Sequence, residues 1–151
     1  MSGAITLRRY TAADEAETIA LWVETWQAAY PHIDFAARRD FLRERWQEAM
    51  PVVVLATVAG AITGFITVEP DTGYVDQLAV APRAWGSPVA GTLMDEAKHM
   101  SPARLHLLVN QDNARAIRFY EKQGFVNAGP SRDPRTGTPV FVMRWGTAHP
   151  V

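Results

Sequence analysis

The chain has 151 residues, a formal net charge of −1, 48% hydrophobic residues and no cysteine. That length makes a single domain over residues 1–151 with a sizeable core, and the missing thiols exclude disulfides, thiolate metal sites and a cysteine acyl-enzyme. The 15 basic residues are scattered rather than gathered into a stripe, and the four His have no metal-ligand spacing, so neither nucleic acid nor a metal is expected as a partner.

The first 17 residues place charges where a signal peptide's apolar region would lie, and no apolar run reaches the ~18 residues of a membrane span. The reading is of a cytoplasmic protein without membrane contact. Residues Ile5 to Arg9 alternate as a short strand. From Ala12 to about Tyr30, Ile19, Leu21, Trp22, Trp26 and Tyr30 recur at helical spacing until Pro31 interrupts. A second helix is expected from Phe35 to about Met50. Pro51–Val58 and Ile62–Val68 read as a hairpin about Ala59-Gly60. After the turn at Asp71-Thr72-Gly73, Tyr74–Val80 forms a further strand.

A loop and a helix from about Pro88 to Met100 follow. Arg104–Val109 is a strand, and Asp112 to about Gln123 is a helix closed by Gly124. Phe125–Ala128 and Pro139–Arg144 complete the strands. The order β-α-α-β-β-β-α-β-α-β-β implies an α/β (α+β) fold. Its central sheet is mixed and mostly antiparallel, with about six to seven strands and helices on both faces.

Two segments carry chemistry. In Tyr74–Ala97 a strand, a loop and an amphipathic helix succeed one another. Amides at such a helix start lack partners and carry the positive end of the dipole, which suits a phosphate. Ser87 is a candidate N-cap, with Pro88 at the first helical position. The amides of Gly86, Ser87, Val89, Ala90 and Gly91 are the candidate donors. In the second segment, VNQDNARAIRFYEKQGF (109–125), Asn113, Ala116, Ile117 and Tyr120 fall on one helix face. Asn113 and Tyr120 stand about two turns, roughly 10 Å, apart there.

The stretch Trp85-Gly86-Ser87-Pro88-Val89-Ala90 resembles the acyl-CoA loop of the GNAT superfamily of N-acetyltransferases. In that family the pattern is Gln or Arg, two residues, Gly, one residue, then Gly or Ala. Trp85 departs from the first position. Pro88 departs from the Gly and lacks an N–H. The second segment resembles the family's other signature: Asn, Ala three residues on, Phe-Tyr-Glu, then Gly-Phe.

The resemblance implies the GNAT fold, acetyl-CoA as cosubstrate, and acetyl transfer to a primary amine in a ternary complex. It implies acyl-CoA contacts along Leu78, Ala79 and Val80, at Trp85, Gly86, Ser87, Val89, Ala90 and Gly91 of the loop, and at Asn113 and Ala116. It also implies that Tyr120 protonates the departing thiolate, a role suited to a phenol of pKa ~10.

A base is expected on the acceptor side. Asp76 is the first candidate, sharing a face with Tyr74 and Leu78 by period-two alternation; Glu69 is the second. Trp26, Tyr30 and His32 are the candidate acceptor-binding residues; Tyr30, His32 and Asp34, if they line the pocket, point to a small-molecule amine. A protein lysine or N-terminus, and a non-catalytic acyl-CoA-binding regulatory module, are the alternatives. A homodimer is left open. His106, alternating with Leu105 and Leu107, reads as structural.

Overall fold

The computed structural model describes residues 3–146. Its strands are β1 (Ile5–Arg9), β2 (Val52–Val58), β3 (Ala61–Glu69), β4 (Tyr74–Val80), β5 (Arg104–Asn110), β6 (Val126–Arg132) and β7 (Pro139–Gly146). Its α-helices are α1 (Glu15–Ala29), α2 (Arg39–Ala49), α3 (Val89–Met100) and α4 (Ala114–Lys122). They follow one another in the order expected from the sequence.

The seven strands form one sheet in the order β1-β2-β3-β4-β5-β7-β6. Every neighbouring pair is antiparallel except β4 and β5. Ala59 and Gly60 have φ of 52° and 81°, the tight two-residue turn whose twist suits a hairpin. Helices α1 and α2 cover one face, where Ile19, Trp22 and Leu42 bury against Leu55, Phe65 and Ala79. Helix α3 covers the other, with Leu93, Met94 and Ala97 against Val54, Ile66 and Leu107. Gly64 lets α3 come this close, because a Cβ there would stand 3.0 Å from Val89 Cγ1.

Several boundaries differ from the sequence reading. The second helix begins at Arg39 rather than Phe35. Phe35 is instead buried, its ring 6.0 Å from Trp22 and 5.8 Å from Trp26. Tertiary aromatic packing here outweighs helical spacing. Helix α4 starts after Asn113, whose Oδ1 accepts from the Ala116 amide at 3.2 Å. Strand β6 runs on through Pro130 to Arg132. Among the described residues it has β7 as its only partner, and an edge strand tolerates a residue without an N–H.

The parallel pair sets the shape of the centre. β4 and β5 meet at a single register position, Tyr74 opposite His106, where the His106 amide donates to Gly73 O at 2.9 Å. Gly73, at φ 80°, lets the β3–β4 turn press on the Arg104 backbone. Past this point no further rung forms, and the C-terminal end of β4 keeps an open edge toward β5.

Candidate active site

Backbone alternation decides what that edge offers. The Ala81 amide donates to Thr63 O on the β3 side, so Leu78 and Val80 turn their backbone groups to the open side. The Val80 carbonyl there accepts from Thr25 Oγ1 at 2.9 Å and from the Trp85 indole at 2.8 Å. Across the opening lies α4. Between them is a cleft of about 380 Å³, lined by Leu78, Val80, Trp85, Gly86, Ala90 and Tyr120, among others.

The start of α3 forms one end of the cleft. Two of the expected donors are engaged: the Ser87 amide with Ala84 O at 3.1 Å, the Val89 amide with Ser87 Oγ at 3.4 Å. Pro88 occupies the cap position, one residue before the helix. Among the described residues, the amides of Gly86, Ala90 and Gly91 have no acceptor. Gly86, at φ 82°, has no heavy atom within 4 Å of where a Cβ would stand. Three unpartnered amides at a helix's positive end fit a diphosphate.

Three cations join them: Arg115, Arg118 and Lys122, spaced i, i+3 and i+7 on α4, line the same cleft. The sequence reading omitted them, although their spacing was there to be seen. Arg115 stacks on Trp85, its Cζ 3.8 Å from the ring centroid. A cation therefore stands over the ring of the residue that replaces the loop's Gln or Arg.

Tyr120 is half-buried between Phe119 and Phe125, with ring centroids at 5.5 and 5.7 Å. Its hydroxyl has no hydrogen-bond partner among the described residues. Burial pushes the phenol pKa up to about 12, while the nearby Arg115 charge pulls it down. The group is a neutral acid at any physiological pH. Ala116 lines the cleft one turn away. Of the other residues assigned to the acyl-CoA, Ala79 and Val89 bury their side chains in the core, the first on the α1 face and the second under α3.

The opposite face holds the other candidates. Asp76 does not share a face with Leu78. Val68 pairs with Val75 and Thr67 with Gln77, so Asp76 is the extra residue of a β-bulge. The bulge turns Asp76 toward α2 and leaves Leu78 facing the cleft. The Asp76 side chain, only 10% exposed, lies 3.1 Å from Arg45 Nη2 and 3.9 Å from Arg135 Nη1. Tyr74 donates to its Oδ1 at 3.3 Å, and burial together with the Asp76 charge pushes the Tyr74 phenol up to about 12. Glu69 ends β3, opposite Tyr74.

Trp26 stacks on Tyr30 at 5.7 Å. The Tyr30 hydroxyl donates to Asp112 Oδ1 at 2.8 Å and accepts from Asn110 Nδ2 at 3.1 Å, tying the end of α1 to the end of β5. His32 is exposed on the turn after α1. His106 packs its ring 5.2 Å from Tyr74.

Comparison with known proteins agrees with this geometry. The family model for the acetyltransferase (GNAT) family matches residues 16–125. The chain belongs to the GNAT family. It is an acyltransferase acting on amino groups. It is 28% identical over 138 residues to the peptidyl-lysine N-acetyltransferase YjaB of Escherichia coli K12, covering 89% of this chain and 91% of that protein. The solution structure of apo YjaB from Escherichia coli superposes with a TM-score of 0.76 at 25% identity, covering 95% of this chain and 99% of that one. The fold is shared with the PaiA N-acetyltransferase of Thermoplasma acidophilum in complex with coenzyme A. There the TM-score is 0.74 at 21% identity, over 95% and 99% of the two chains. Among the described residues no helix is long and apolar enough to cross a membrane.

Proposed function

We propose that the protein moves an acetyl group from acetyl-CoA directly to the ε-amine of a protein lysine, both substrates being bound at once. The observation that carries this reading is the cleft itself, where unpartnered amides, cations and a neutral phenol border one open strand edge. The N–H and C=O of Leu78 and the N–H of Val80 would pair with the pantetheine arm as another strand would, the Val80 carbonyl being already held by Thr25 and Trp85. The Gly86, Ala90 and Gly91 amides would hold the diphosphate. The lysine acceptor is favoured by the 28% identity to a protein named a peptidyl-lysine N-acetyltransferase.

In the reaction the amine nitrogen attacks the thioester carbonyl carbon, a C–N bond forms and the C–S bond breaks. Tyr120 gives its proton to the leaving sulfur and recovers it from solvent. Asp76 takes the proton that the amine must lose, through water where the distance requires. Arg45 and Arg135 hold that carboxylate in place. General acid catalysis of this kind is worth ~10²–10⁴ in rate.

A second reading has one specific observation in its favour. The Tyr30–Asn110–Asp112 cluster presents hydroxyl, amide and carboxylate groups at the end of β5, a polar lining suited to a small amine. A screen of CoA release with lysine peptides in one arm and small amines in the other separates the two. Release with peptides supports the lysine reading. Release with small amines alone transfers the proposal to them, and CoA binding without release to any amine supports the non-catalytic module.

A further inference from the structure

We propose that Arg115, held on the Trp85 indole, binds the diphosphate of CoA and replaces the side-chain contact that the loop lacks. This rests on the reading of the cleft as the acyl-CoA site.

Trp85 is a fixed platform. Its indole N–H donates to Val80 O at 2.8 Å and its backbone N–H to Pro82 O at 3.2 Å. The ring is therefore pinned against both the end of β4 and the loop. Arg115 lies over that ring at 3.8 Å. Stacking uses the π face of a guanidinium and leaves its N–H donors, which lie in the plane, free at the edge. Among the described residues, no carboxylate lies within ion-pair distance of Arg115. It is a cation with its donors unspent, in the same cleft as the free Gly86, Ala90 and Gly91 amides.

The alternative is an arginine that merely covers an exposed indole. Two features favour the anion site over that reading. The indole spends its N–H on the strand edge, which fixes the ring's orientation instead of leaving it to solvent. Arg118 and Lys122 follow Arg115 along the same wall of the cleft, so its charge belongs to a directed set. A guanidinium already held against a ring loses less freedom when it binds an anion. Pro88 withholds one amide from the cradle, and Arg115 offers donors in its place.

The test is calorimetric titration with CoA and with dephospho-CoA, which keeps the diphosphate and lacks the 3′-phosphate. Wild type is compared with Arg115→Gln, Trp85→Leu, Trp85→Phe and the Arg115→Gln/Trp85→Leu double variant. Arg115→Gln is expected to weaken both ligands by a similar factor, about tenfold, the scale of one charge-assisted contact. Trp85→Leu should approach that loss, and Trp85→Phe, which keeps a ring, should lose less. In the double variant, Trp85→Leu should add little.

Unchanged affinity in Arg115→Gln overturns the proposal. A loss confined to CoA would put Arg115 on the 3′-phosphate and also overturns it. Fully additive losses overturn the platform. Arg115 is exposed on α4, so its substitution leaves the fold intact and decides the matter even where Trp85→Leu unfolds. Wild-type protein that binds neither ligand refutes the reading of the cleft, a result distinct from the others.

Discussion

Among the described residues, Tyr74 and His106 mark the one register position at which the backbones of β4 and β5 pair. One face of the sheet beyond this clasp carries Leu78 and the cleft; the other carries Asp76 and its two arginines. On the function proposed above, the parting of the two strands would give two substrates separate approaches to one central gap. The energetic cost of unpaired strand edge is offset when a ligand with amide groups pairs with it.

Asp76→Asn is expected to lower turnover most at low pH, where the amine is most protonated and a base matters most. The substitution also leaves Arg45, 11% exposed, without a counter-charge, so the melting temperature should fall by several degrees. A pH–rate profile of unchanged shape, measured on folded variant, would remove Asp76 from proton transfer and pass the role to Glu69 or water.

Pro88→Gly adds an amide at the cap of α3. A hydrogen bond to a charged group is worth ~1.5–3 kcal/mol, and ~1.4 kcal/mol is tenfold in affinity. Acetyl-CoA should bind about tenfold more tightly, while the free protein melts slightly lower because glycine loosens the unfolded chain. Titration and thermal melting of both proteins check the two effects. Equal affinity would mean that position 88 does not face the diphosphate.

Asp14 gives a pH-dependent stability. Arg8 donates to both of its oxygens at 2.8 Å and the Thr11 amide to one at 2.8 Å, which holds the carboxyl well below its ordinary pKa. A folded-state pKa below the unfolded value means stability present above ~4 and lost as pH falls below that. Asp14→Asn should therefore lower the melting temperature at pH 7, with the gap to wild type closing as the pH falls below ~4. A gap independent of pH would contradict the assignment.

The element order was legible because each segment carries its own period, and because Ala59-Gly60 and Gly124 mark reversals of the chain. The α4 wall of the cleft was legible in Ala116 and Tyr120, which line it, whereas Asn113 spends its side chain on capping α4. The bulge at Asp76 was not. It depends on the partner strand, where Thr67 Oγ1 takes the Gln77 amide at 2.9 Å in place of a regular rung. One inserted residue reverses the face of everything before it, and strict alternation along β4 hides this. Arg45 and Arg135 escaped notice for the same reason: nothing local links α2 or the β6–β7 turn to β4. Trp85 departs from the loop pattern, and only the fold brings Arg115 over its ring.

The most direct test of the account is a paired measurement on Tyr120→Phe. Acetyl-CoA affinity is measured by titration and single-turnover acetyl transfer by rapid quench, both against wild type. The phenol, with its pKa near 12, is a neutral donor across the working range, and removing it should slow transfer well over tenfold. The ring remains, so affinity should stay within about twofold. Wild-type transfer rates in the phenylalanine variant, under conditions where chemistry limits, would contradict the assignment of Tyr120 as the acid.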